Sequence, residues 1–390
     1  MKKNALVFAL TFILTALCIP VQAIESDIIP SENPPRTIVE GQEQDSASTI
    51  EHPKGLDEPF FEAVEVRESY ESIFTINPTS AVTVSEDNLS VYSTRYGYDY
   101  LLQTENGSVK QALYNAIHSA VVEFHFNTEL DAGDENSFIS VDYPSLGLSI
   151  DDVVAVASTY QDDNPLIYWL SKTIYYNETV AFIRVDDDYV VGSDRARYNE
   201  IIDAGIAKYT SIVDGETSAY QIALAYHDAI IDSINYAYDS SGEPESARWA
   251  HNILGVFEKE SGVCESYART FQLLLNASGI ENIYVQGMAN TERHAWNLVR
   301  LDDGKWSWYD LTWDDTPNDK WGISYTYFCV SESQTTIRDT VFTDEHTPEL
   351  PSGIGDEFLY ELPERSRGKY RAINGEKLIG DRFKVNNITY

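Results

Sequence analysis

The sequence predicts an α+β protein, and three observations predict it. Between Thr217 and Tyr238, the residues Tyr220, Leu224, His227, Ile231 and Ile234 recur near the 3.6-residue period of a helix. Cys264, Ala268, Phe271 and Leu275 form a second apolar stripe at i, i+4, i+7 and i+11, preceded by Ser261 as a candidate cap. Two strand-like runs, His294 to Val299 and Lys305 to Leu311, flank Asp302-Asp303-Gly304, whose turn chemistry closes a β-hairpin. A smaller α+β module is expected ahead of these elements.

In chain order, Lys2 and Lys3 followed by the apolar run Ala5–Ile19 and Val21-Gln22-Ala23 read as a secretory signal peptide over 1–23, cut after Ala23. Thr15-Ala16-Leu17 ahead of Cys18 makes a poor lipobox. Residues 24–59 are rich in Pro, Ser and acids and nearly free of aromatics, so they read as a disordered, solvated linker. Residues 60–210 read as the α+β module. Glu62–Phe74 has helical spacing and Ala81–Tyr100 reads as strand. Asn106-Gly107-Ser108 opens a helix to about Phe126, with Leu113, Ile117, Ala120 and Val121 on one face. Val180, Phe182, Val185 and Tyr189-Val190-Val191 suggest a hairpin. His118 and His125 fall near one helical face without an acidic or thiol partner, which favours packed histidines over a metal site. Residues 211–350 hold the candidate chemistry. Asp239–Glu245 ends the first helix, Ala247–Glu258 reads as another helix, and Tyr325–Val330 as an aromatic strand containing Cys329. A polar segment with Asp344-Glu345-His346 follows. Residues 351–390 read as an extension with short strands at Phe383-Lys384-Val385 and Ile388-Thr389-Tyr390.

The formal net charge is −36. Phosphate backbones and anionic membranes attract Lys/Arg-rich surfaces, so neither is expected as a partner. Only Cys264 and Cys329 remain after the leader, too few for a disulfide framework in a chain of this size. Cys329 reads as a small buried hydrophobe.

Cys264 carries the chemistry. In the first turn of a helix its sulfur meets free backbone N–H groups and the positive end of the helix dipole, which favour thiolate and can receive an oxyanion. Glu265 opposes this if its charge faces the sulfur, but it lies about 100° round the helix. A cysteine nucleophile needs a base, and the base an orienter. The hairpin sets His294 and Asp310 at equal distances from Asp302, so antiparallel pairing is expected to bring them side by side. The alternative is a buried cysteine, a strand-end histidine and an exposed aspartate that never meet.

Gly262-Val263-Cys264-Glu265-Ser266-Tyr267-Ala268, His294-Ala295-Trp296-Asn297 and Asp310-Leu311-Thr312-Trp313-Asp314-Asp315 resemble the three signature blocks of the transglutaminase-like superfamily, in its order and near its spacing. The resemblance covers roughly residues 214–348. It implies a papain-like core, a helix bearing Cys264 packed on an antiparallel sheet bearing His294 and Asp310, which serve as nucleophile, base and orienter. It also implies a preceding α+β module like 60–210, as in secreted bacterial members. Leu254 stands where many relatives have a Tyr ahead of the nucleophile, and Cys329 where they often have Asn. The expected function is a secreted thiol enzyme acting on amides, a peptidase or amidase, on a protein or peptide substrate of the cell wall or extracellular medium. Cross-linking amine transfer and a non-catalytic surface-binding module are the alternatives. The chemistry requires no metal or cofactor, and Asp239–Glu245 is only a weak match to a calcium loop.

Overall fold

The computed structural model describes residues 52–56, 61–80, 89–315, 323–331 and 342–349, and the strand residues 377–379, 382–385 and 388–389. The leader and most of the linker lie outside the described residues. The fold is mixed α+β.

The first layer is a five-stranded sheet built from β1 (Glu62–Glu65), β2 (Phe74–Ile76), β3 (Ser137–Val141), β4 (Thr173–Tyr176) and β5 (Ala181–Arg184) in the order β1-β4-β5-β3-β2. Helices α1 (Tyr96–Leu101), α2 (Gly107–Phe126), α3 (Ile150–Asp163) and α4 (Gly192–Thr210) accompany it. Helix α2 starts and stops where the sequence places it, and Leu113, Ile117, Ala120 and Val121 are buried. Ser149 caps α3 reciprocally with Asp152. Other expectations give way to long-range pairing. Glu62–Phe74 is not helical: Glu62–Glu65 joins β4 in parallel, and the helical spacing of its apolar residues loses to ladder hydrogen bonds from 111 residues away. Within Ala81–Tyr100, the described part turns helical at Tyr96. The hairpin is β4–β5 rather than one involving Tyr189–Val191, where Asp187–Tyr189 forms a 3-10 turn.

The second layer follows α5 (Ala219–Ser233), β6 (Asn235–Tyr236), β7 (Ser261–Gly262) and α6 (Cys264–Ala277). It is an antiparallel sheet of β8 (Asn282–Ala289), β9 (Glu292–Arg300), β10 (Trp306–Tyr309) and, beyond the short helices α7 (Leu311–Asp314) and α8 (Phe342–Glu345), β11 (His346–Glu349), in the order β10-β9-β8-β11. Ala247–Glu258 breaks into a 3-10 turn at Arg248–His251 and a π turn at Gly255–Lys259. Tyr325–Val330 is irregular, and its ladder pairing with β10 is limited to a Trp308–Val330 bridge. A separate three-stranded sheet of β12 (Lys377–Ile379), β13 (Arg382–Val385) and β14 (Ile388–Thr389) includes the two short strands expected there.

Helix α6 is buried on every side from Cys264 to Asn276, not along one stripe. Its apolar face meets Tyr309, Val299 and α5, while Leu273 joins Ile253 and Leu254 in the core of the first layer. Its polar face is buried against the first layer rather than solvated. Arg269 donates to Gln161 O at 2.9 Å and pairs with Asp162 at 3.1 Å, and Gln272 donates to Asp162 O at 2.8 Å. The end of α3 therefore anchors the helix that starts with Cys264. Among the described residues, no helix is long and apolar enough to cross a membrane.

Candidate active site

Helix α6 begins at Cys264 itself. Val263 is its N-cap, with an extended backbone and no side-chain capping bond. Ser261 is not the cap: Ser261–Gly262 runs as β7 in parallel with Asn235–Tyr236. A Cβ on Gly262 would stand 2.4 Å from the Ser266 Cβ, so glycine is needed for the chain to enter the helix this closely. Cys264 thus opens the first turn of α6, at the positive end of the helix dipole. Pairing of β6 with β7 delivers a residue the sequence reading missed. The Tyr236 hydroxyl lies at the backbone N–H of Cys264 and donates to Lys54 O at 2.6 Å. Burial and then the charge on the Cys264 sulfur hold this phenol well above its ordinary value, so it stays a hydrogen donor. Leu254, by contrast, is fully buried in the first core and offers no donor.

His294 sits in β9, between β8 and β10. Its Nε2 is 2.8 Å from Asp310 Oδ2, and its ring also hydrogen-bonds the Cys264 side chain, for which Nδ1 is the nitrogen left. The hairpin differs in register from expectation. Leu301 N donates to Lys305 O at 2.9 Å across a three-residue loop with Gly304 at φ 77°, so the turn is centred on Asp303. Tyr309 pairs with Asn297, and β10 ends there. Asp310 therefore reaches His294 diagonally, on the same face, rather than from directly opposite. It caps α7 at the same time, with Oδ1 accepting from Trp313 N at 3.1 Å.

A second histidine shares the carboxylate. His346, the first residue of β11, places Nε2 3.0 Å from the same Asp310 Oδ2 and stacks on Phe342 at 3.9 Å. Within the polar Asp344-Glu345-His346 segment nothing local marks it; antiparallel pairing of β11 with β8 brings it in. Burial works against the Asp310 charge, but His294 and then His346 hold its acid strength well above that of a free carboxyl, so it accepts from both rings. Burial lowers His346, which stays neutral. Burial also pulls on His294, but Asp310 and then Cys264 override it and raise the imidazole to about 10. His294, Asp310 and His346 are also the group with metal-like spacing among the described residues, their ligand atoms lying within 4.8 Å of one another. Two ring N–H groups on one carboxylate oxygen account for that spacing without an ion.

Glu265 lies next to the nucleophile, yet its carboxylate turns away. It is fully buried and contacts Lys172 at 2.5 Å, His251 Nδ1 at 2.6 Å and Tyr284 at 3.3 Å. Burial would raise it, but Lys172 and His251 hold it well below the ordinary carboxylate range. Replacing Lys172 with Met is expected to cost about 3–5 kcal/mol, because it strands a buried charge. Urea unfolding checks this, and a loss below about 1 kcal/mol would show that His251 and Arg269 suffice.

The other singled-out residues stay apart from the site. Cys329 is buried with Phe271, Tyr309 and Phe328, and burial pushes its thiol up to about 12. Both cysteines are free thiols. His227 is a core histidine between Asp228 (2.9 Å) and Asp314 (3.3 Å). His118 meets Tyr160 at 3.0 Å, and His125 accepts from Trp169 at 3.3 Å. Asp239 accepts from the backbone of Ser241 and Glu243 in an ordinary turn.

Among solved structures, the chain is similar to a candidate cysteine protease from Cytophaga hutchinsonii (22% identity, 31% of this chain and 40% of that one, TM-score 0.24). It is also similar to a TGase (16%, 46% and 52%, 0.26) and to a candidate protease from Parabacteroides distasonis (13%, 33% and 28%, 0.23). The chain thus spans from 28% to 52% of the length of these proteins. No curated protein matches at a significant level. Residues 207–311, which contain Cys264, His294 and Asp310, match the model of the transglutaminase-like superfamily.

Proposed function

We propose that the protein is a secreted thiol hydrolase that opens amide bonds in a peptide or protein through a thioacyl intermediate on Cys264. The observation that carries this reading is the continuous bonded chain from the Cys264 thiol through His294 to Asp310, at the start of a buried helix. In this reading the core works in a papain-like way, with the thiol at the start of α6, the base on β9 and the orienter just past the end of β10. Cys264 attacks the carbonyl carbon while its proton rests on His294. The oxyanion is received by the Cys264 N–H and the Tyr236 hydroxyl. His294 then donates its proton to the departing amine, the C–N bond breaks, and the acyl group stays on sulfur. In the second half His294 takes a proton from water, which attacks the thioester and frees the acid. Asp310 keeps the ring oriented and stabilises its charged form.

Water is favoured as acceptor because the cavity at His294, about 390 Å³, carries exposed Lys54, Asn290 and Glu292 on its lining. The test is incubation with a dansyl-amine and a protein mixture, using both the full chain and a chain cut ahead of Phe61. Cleavage without dansyl incorporation is expected. Incorporation without cleavage would overturn hydrolysis in favour of amine transfer, and neither product from either form would overturn the enzyme in favour of a binding module. In the same assay kcat/KM should hold into alkaline pH and fall near pH 10, where His294 loses its proton. A fall centred near pH 7 would contradict the Asp310-supported imidazolium.

A further inference from the structure

Residues 52–56, which composition assigns to the solvated linker, are packed into the site. Leu56 is 6% exposed and sits in one cluster with Cys264, Ala237, Ala250, Val263, Tyr284 and Ala295. Its N–H donates to Arg293 O at 2.9 Å, one residue from His294, as an antiparallel bridge. Gly55 N donates to Glu292 Oε2 at 2.6 Å, and a Cβ on Gly55 would stand 2.4 Å from the Glu292 Cβ, so this position admits only glycine. The Lys54 side chain reaches Glu243 at 2.6 Å, and His52 stacks on Trp313 with ring centroids 4.0 Å apart. These contacts seat a short peptide against β9, with Leu56 in an apolar pocket, His52 on Trp313 and Lys54 at the exposed rim.

We infer that the groove holding His52–Leu56 is the acyl-donor peptide site, and that the chain's own segment fills it as a pseudosubstrate that keeps the enzyme latent. This rests on the thiol-hydrolase reading. Two facts make the segment a block rather than a wall. Cys264 is 0% exposed while the segment is in place. The Tyr236 hydroxyl has a single hydrogen, and it is spent on Lys54 O, so it cannot serve an oxyanion until the segment leaves. The segment also reports what the groove accepts: an extended peptide with an aliphatic side chain for the Leu56 pocket, glycine before it, and a basic side chain two positions earlier facing Glu243. Residues 57–60 tether the segment to Phe61. So short a tether gives a local concentration of order mM, so modest intrinsic affinity suffices for occupancy.

The experiment measures the rate at which iodoacetamide alkylates Cys264, by peptide mapping, in the full chain, in Gly55→Val, in Leu56→Glu, and in a chain carrying a protease site at 57–60 that is cut after folding and diluted. Alkylation is expected to rise at least about 10-fold in all three altered forms, since each empties a mostly occupied state. A free peptide of residues 51–57 at mM concentration should reverse the rise in the cut chain, and the same peptide with Leu56→Glu should not. The cut form folds before it is altered, so it guards against misfolding of the two variants. Equal alkylation of the full and cut chains, or failure of the peptide to compete, would overturn the pseudosubstrate. Faster alkylation with peptide competition but no cleavage of any protein would leave the groove assignment standing and remove the hydrolase reading.

Discussion

Replacing Cys264 with alanine in the cut chain is expected to lower kcat by at least about 10⁴-fold, because no other group can form the acyl intermediate. Cys329 cannot substitute. It lies in a different core, and its thiol, pushed up to about 12, is not ionised at working pH. The exchange removes one sulfur from a site already lined by Ala237, Ala250 and Ala268, so stability should change by no more than about 1–2 kcal/mol. His294→Ala should cause a comparable loss of rate. The decisive measurement is the double variant. If thiol and imidazole act as one unit, it should be no slower than the worse of the two singles. Losses that multiply would mean that Cys264 and His294 contribute independently. The thioacyl mechanism would then be wrong even though each residue matters. His294→Ala differs in one respect: it leaves the Asp310 carboxylate buried with only His346 and Trp313 N as donors. It should therefore unfold at lower urea than Cys264→Ala.

The parts of this site that the sequence disclosed are those whose geometry is local. Helix period placed Cys264 at a helix start, and Asp302-Asp303-Gly304 placed His294 and Asp310 on one hairpin. Even there the turn residue was off by one, since a loop closed between Leu301 and Lys305 with Gly304 left-handed differs by one residue from a turn centred on Asp302. The side chains still meet because a shift of two in pairing keeps both on the same face, whereas a shift of one would have parted them. What was illegible depends on pairings between distant segments. Tyr236 matters only because β6 lies parallel to β7, and His346 only because β11 joins β8. Glu265 looked like a threat to a thiolate until Lys172, from the other layer, was seen to hold it. Leu56 is one aliphatic residue in a polar stretch, and composition has no means of showing that a single side chain has a pocket.

Asp310→Asn is the variant in which these contacts conflict most directly. Both carboxylate oxygens accept: Oδ1 from Trp313 N, Oδ2 from the Nε2 atoms of His294 and His346. Asparagine has one acceptor oxygen. Turned toward the histidines, it sets an amide N–H against the Trp313 N–H and loses the cap of α7. Turned toward the cap, it sets that N–H against two ring donors, and the rings must change tautomer or move. Either way His294 loses the fixed tautomer and the charge that supports its imidazolium, and kcat should fall by about 10²–10⁴-fold. Burial, no longer opposed by Asp310, then pulls the imidazole down from about 10, so the alkaline fall in kcat/KM should move to lower pH by several units. The stability cost follows by linkage. His294 is raised above its ordinary 6.5, so its contribution is complete below pH 6.5 and lost as pH rises through about 10. Asp310 is depressed below its ordinary 3.8, so its contribution is complete above that value and lost as pH falls through the lower folded one. The difference in unfolding free energy between wild type and Asp310→Asn should thus be largest between about pH 4 and 6.5 and shrink on both sides. An alkaline limb that stays near pH 10 in the variant would mean that Cys264, not Asp310, holds the proton on His294, and the orienting role would pass to His346.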